Sequence, residues 1–139
     1  MSDPLIKQKI VACITDERSA WKVLQEATML AGEQCLGLRL IICQGILGKE
    51  SGPEAARSFI DKIRHAAEHG CRESGVNVII ETLDCGAREA ARVKKIIEES
   101  GIELLVLTDS LPNNRFARLL SRKAEEIARG CNCSVLLVR

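Results

Sequence analysis

Five short apolar runs recur along the chain, at residues 8–14, 38–43, 76–81, 103–108 and 133–138. Within most of each run the hydrophobic residues follow one another instead of alternating with polar ones. Runs this short and continuous read as strands covered on both faces, the texture of a parallel sheet held between helical layers. Segments with the 3.6-residue period of amphipathic helices lie between them. The first carries Ala20, Leu24, Ala27, Leu30 and Ala31 on one stripe, with Trp21 on its flank. The second carries Ala56, Phe59, Ile60, Ile63, Ala67 and Cys71, and the third, over 87–100, places Ala90, Val93 and Ile97 inward. A fourth spans 115–129. The punctuation agrees with this division. Asp16 or Ser19 is placed to cap the first helix, and Gly32 and Gly37 mark its exit. Residues 45–52 read as a glycine-rich loop, Pro53 suits the first turn of the second helix, and Gly75 ends it. Gly101 stops the third helix.

Strands alternating with helices at this spacing predict one doubly wound α/β domain over residues 1–139. Right-handed crossovers then put two helices on each face of a five-stranded parallel sheet. Two strand orders are natural, 2-1-3-4-5 and 3-2-1-4-5, and periodicity does not choose between them. The last strand is an edge in either order. Its Val135, Leu136, Leu137 and Val138 are apolar on both faces, with no proline and no inward charge, so it is a template for pairing with a second chain.

Composition narrows the function classes. Apolar residues make up 46% and charged residues 28% of the chain, an ordinary globular balance. No apolar run has the length of a membrane-spanning helix. The N-terminal residues lack a signal-peptide core, which leaves the cytoplasm as the expected location. A net charge of +1 argues against general nucleic-acid binding, and three aromatic residues leave few stacking platforms. The seven cysteines, Cys13, Cys35, Cys43, Cys71, Cys85, Cys131 and Cys133, form no spaced framework and read mostly as small buried hydrophobes.

Chemistry-bearing patterns are few. Cys131 and Cys133 form C-x-C, not the C-x-x-C of zinc or redox sites. Cys13, Cys43 and Cys85 fall near strand ends, where a soft-metal cluster is weighed against plain core packing, and packing is preferred. His65 and His69 have the i,i+4 spacing that can clamp zinc, but the apolar stripe turns both away from the core. No serine sits in a G-x-S-x-G elbow and no acid/base pair stands out, so no catalytic residue and no metal ligand is assigned. Asp84 and Asp109 follow strands three and four, where aspartate commonly caps a turn.

The run Ile10-Val-Ala-Cys-Ile with Ser19 beyond it, the strand at 103–108, Ala124-Glu125 in the last helix and the ending Cys133-Ser-Val-Leu-Leu-Val-Arg139 resemble the universal stress protein family. The resemblance covers about residues 8–139 and rests on element order and strand texture. It implies the 3-2-1-4-5 order of the adenine nucleotide alpha hydrolase-like folds. It also implies homodimers joined through the last strand, residues Cys133, Val135, Leu136, Leu137 and Val138.

The nucleotide-binding branch of that family carries Gly-x2-Gly-x9-Gly-Ser/Thr after the fourth strand, whose glycines let backbone amides approach phosphates. Set against Ala124-Glu125 without a gap, those positions fall on Thr108, Leu111, Ser121 and Arg122, so all three glycines are missing and the hydroxyl position is arginine. The acid that branch places at the end of the first strand falls on Ile14, with Asp16 two positions later. The expectation is therefore a cytoplasmic, non-enzymatic homodimer acting as a regulatory or protein-interaction module in stress response, with no cofactor and without tight ATP binding. Its protein partner is not named by the sequence.

The alternative is a switch for ATP, AMP or another anion. Backbone groups at Ile14, Thr15, Asp16 and Cys43, through residue 45, hold the base, and the cluster from Arg115 to Lys123, with Arg122, holds the phosphates; Thr108, Asp109 and Ser121 complete the candidate site. Arg115, Arg118, Arg122 and Lys123 crowd the start of the last helix, where the dipole disfavours cations and an anion would relieve them. The plainer reading makes them a solvated face, with Arg122–Glu126 and Arg129–Glu125 as i,i+4 pairs. An enzyme of the wider superfamily is the third and weakest class.

Overall fold

The computed structural model describes residues 8–84, 88–108, 122, 126, 129–130 and 133–138. In chain order the elements are β1 (Gln8–Ile14), α1 (Glu17–Gln34), β2 (Gly37–Cys43), α2 (Gln44–Ser51), α3 (Pro53–Glu73), β3 (Val78–Leu83), α4 (Glu89–Ser100), β4 (Leu104–Thr108) and β5 (Ser134–Val138). The strands form one parallel sheet in the order β3-β2-β1-β4-β5. Of the two natural orders, the one implied by the family resemblance is the one present.

Alternation along the buried strands sorts the core into two layers. Ile10, Ala12 and Ile14 of β1 and Leu38, Leu40 and Ile42 of β2 face α1 and α3. Val11, Cys13, Ile41, Cys43, Leu105 and Leu107 face the opposite way, where Val93, Ile96 and Ile97 of α4 cover them. Because both faces are covered, the central strands are apolar throughout, as their continuous runs require. The first face holds two helices, as expected. The second holds α4; of the segment before β5, Arg122, Glu126, Arg129 and Gly130 are described and are helical and exposed.

Several boundaries differ from the sequence reading. Helix α1 runs through Gly32 and ends at Cys35, which adopts the left-handed conformation (φ 55°) usually left to glycine. Strand β3 starts at Val78 and runs to Leu83, two residues later than the apolar run at 76–81 suggested. Helix α4 is described over Glu89–Ser100, and residue 87, where the sequence reading began it, lies outside the described residues. The largest correction concerns residues 45–52. They are not a glycine-rich loop: Gln44–Ser51 is the helix α2, and Gly52 (φ 89°) turns the chain into α3. Gly45 and Gly48 lower its helix propensity. Burial of Ile46 in one layer and Leu47 in the other overrides that preference.

Smaller contacts tie the layers at their rims. Trp21 of α1 meets Phe59 of α3 edge-on, with ring centroids 6.1 Å apart and an interplanar angle of 85°. On the α4 face Arg39 of β2 pairs with Glu81 of β3 and donates from Nη1 to Ser100 Oγ at 3.0 Å. This links the edge strand to the end of α4.

Candidate functional site

In this strand order the chain reverses direction of build between β1 and β4, so the crevice for a ligand opens at their carboxyl ends. The residues there are Ile14, Thr15 and Asp16 after β1, Cys43 after β2 and Thr108 at the end of β4. All five are buried, none more than 4% exposed. These residues share one end of the sheet. Asp109, Arg115, Arg118, Ser121 and Lys123 lie outside the described residues, as do Leu111, Glu125, Cys85, Cys131 and the side chain of Ala90. Arg122 is helical and exposed.

Each residue has a defined local role. Ile14 packs into the α1/α3 layer and presents no polar group. Asp16 is the N-cap of α1, as one of the two sequence candidates. Its Oδ1 accepts from Ser19 N at 2.7 Å, and Ser19 Oγ donates to Oδ1 at 2.9 Å and Oδ2 at 3.0 Å. A carboxylate committed to capping is poorly placed to replace the missing acid at position 14. Thr15 stands out for the opposite reason: its Oγ1 is buried and has no hydrogen-bond partner among the described residues. A buried hydroxyl without a partner is costly and points to something that completes it.

The amides after β2 are occupied. Cys43, the N-cap of α2, makes no side-chain cap bond. Glu89, fully buried at the start of α4, takes that role, accepting from Gly45 N at 3.0 Å and Ile46 N at 3.1 Å. The base-binding alternative relied on backbone groups through residue 45, and the amide there is already donating to Glu89. Sequence reading missed Glu89 altogether. A cap that comes from 44 residues downstream leaves no local signature.

Close by, Glu50 at the end of α2 has its carboxyl held above the usual glutamate range, chiefly by partial burial and then by the charges of Asp16 and Glu17. Burial pushes the Cys13 thiol up to about 12, so it stays protonated and is a poor metal ligand or nucleophile. Cys43 is likewise fully buried in the same layer. Among the described residues no group of three or more His, Cys, Asp or Glu is arranged to hold a metal. His65 and His69 are exposed on α3, and His69 Nε2 lies 3.2 Å from Glu73 Oε1 on the solvated face.

No protein-family model matches the chain, and no curated protein matches it significantly. Solved structures do. A universal stress protein from Archaeoglobus fulgidus in complex with dAMP superposes with a TM-score of 0.64 at 14% identity, covering 97% of this chain and 100% of that one. A universal stress protein in complex with cAMP gives 0.64 at 17% identity, with 95% and 97% coverage. A universal stress protein family member from Burkholderia pseudomallei gives 0.57 at 18% identity, with 93% and 94% coverage. Identities this low speak to architecture, and the coverage shows that the architecture is shared from end to end. The chain has the fold of the universal stress proteins.

Proposed function

We propose that this chain is a universal stress protein-like homodimer, a regulatory or protein-interaction module that neither binds ATP tightly nor catalyses a reaction. The observation that carries the reading is the carboxyl end of β1. Apolar Ile14 stands where the nucleotide-binding branch has its acid, and Asp16, two positions later, caps α1 through Ser19. The glycines missing at Thr108, Leu111 and Ser121 point the same way. Among the described residues no helix is long and apolar enough to cross a membrane.

A second reading, a nucleotide- or anion-binding switch, is favoured by the buried hydroxyl of Thr15, which has no partner among the described residues, and by the dAMP and cAMP held by two proteins of the same fold. Calorimetric titration with ATP, AMP and inorganic phosphate, with and without magnesium, separates the two. The module predicts no heat at millimolar ligand. Micromolar ATP affinity would overturn it in favour of the switch.

The dimer has its own test. In β5 Ser134 N donates to Glu103 O across the ladder with β4. Alternate amides of a strand point to opposite neighbours, so the amides of Leu136 and Val138 face β4, while those of Val135 and Leu137 face the open edge. Leu137 is also 41% exposed, whereas Leu136 packs against the core. Leu137→Pro therefore blocks the edge without breaking the ladder to β4. Sedimentation should show a folded monomer; a dimer that persists would rule out pairing through β5.

A further inference from the structure

The start of a helix is a natural seat for an anion, because its first amides lack partners within the helix and the dipole is positive there. Helix α2 has such a start at the carboxyl end of β2, in the region where open α/β sheets take their ligands. The chain seats its own anion on it. Glu89 Oε2 accepts from Gly45 N at 3.0 Å and Oε1 from Ile46 N at 3.1 Å, each oxygen on one amide. Glu89 is 0% exposed, and Ile46, whose amide donates to it, is 1% exposed. Burying a carboxylate is unfavourable unless hydrogen bonds replace its water, and here the charge-assisted bonds from these two amides and the helix dipole contribute to that.

We propose that Glu89 acts as an internal ligand, occupying the α2 amides and so closing this end of the sheet to external carboxylate and phosphate groups. The inference stands apart from the reading of weak ATP binding. It concerns two amides, and it is read at those amides with small oxyanions rather than through nucleotide heats.

The experiment follows the backbone amide signals of Gly45 and Ile46 by NMR in the full chain. Sodium acetate and inorganic phosphate are titrated separately at constant ionic strength, with chloride as the reference anion. In the wild type neither signal should move. In Glu89→Ala both should shift saturably, and acetate, which restores the missing carboxylate, should raise the melting temperature of the variant but not of the wild type. Response to acetate alone would define a carboxylate seat, and response to both a general oxyanion seat. Wild-type signals that shift as strongly as the variant's, or a folded Glu89→Ala that responds to neither anion, would overturn the proposal.

Should Glu89→Ala fail to fold, hydrogen exchange decides with the wild type and Glu89→Gln. Both amides should be protected in the wild type. The glutamine, with one acceptor oxygen in place of two, should speed exchange at one of them by about tenfold or more. Unprotected amides in the wild type, or unchanged exchange in Glu89→Gln, would also overturn it.

Discussion

Ile63→Ala is expected to lower stability by about 3 kcal/mol, whereas Ile79→Ala should cost about 1 kcal/mol or less. The residue type is the same and the environment is not. Ile63 is fully buried on α3, in the layer shared with α1 and the sheet. Truncating it removes apolar burial and leaves a cavity that a close-packed interior fills poorly. Ile79 is 44% exposed on the edge strand β3, so much of its surface never leaves water. Urea unfolding of both variants tests this, read as the shift in midpoint at unchanged slope. Equal losses would mean that the α1/α3 layer is not the close-packed core described above.

The second large effect is expected at Asp16. Asp16→Ala removes the cap of α1 and should cost about 1 to 2 kcal/mol, while Asp16→Asn, which keeps an acceptor oxygen for Ser19 N, should retain most of it. The two variants share a consequence at Glu50, whose carboxyl is raised by burial first and by Asp16 and Glu17 next. The sign follows from linkage. A raised folded-state value means that the folded protein takes up this proton before the unfolded chain does. The contribution of Glu50 to stability therefore improves as pH falls through its raised value, and is unfavourable above it. Neutralising position 16 removes one source of the rise. In Asp16→Asn the gain from this group on acidification from neutral pH should shrink, and titrating Glu50 by carbon-detected NMR in both proteins checks it directly. An unchanged Glu50 midpoint would place the Asp16 charge too far away to matter.

Legibility of the site followed the range of the interactions involved. The cap at Asp16 was readable because donor and acceptor are three residues apart. Its consequence was not: the commitment of that carboxylate to Ser19 becomes visible only with both oxygens placed. Helix α2 was missed because Ile46 and Leu47 enter opposite layers, which leaves no one-sided stripe, and because its cap arrives from Glu89. The Thr15 hydroxyl, without a partner among the described residues, has no sequence signature at all, since burial and partnering are properties of the surroundings.

Local chemistry in the sequence determined the strand positions, the helical stripes, the parallel texture of the sheet and the loss of the glycines after β4. Each rests on side chains within a few residues of one another, where periodicity and backbone preference act. The tertiary structure decided the strand order, because either order buries the same apolar runs and only long-range pairing, β1 with both β2 and β4, distinguishes them. It also decided that residues 44–51 are a helix and that its first amides are taken by Glu89. Those outcomes depend on groups brought together from distant parts of the chain, whose packing and hydrogen bonding outweigh the weak local preference for a loop.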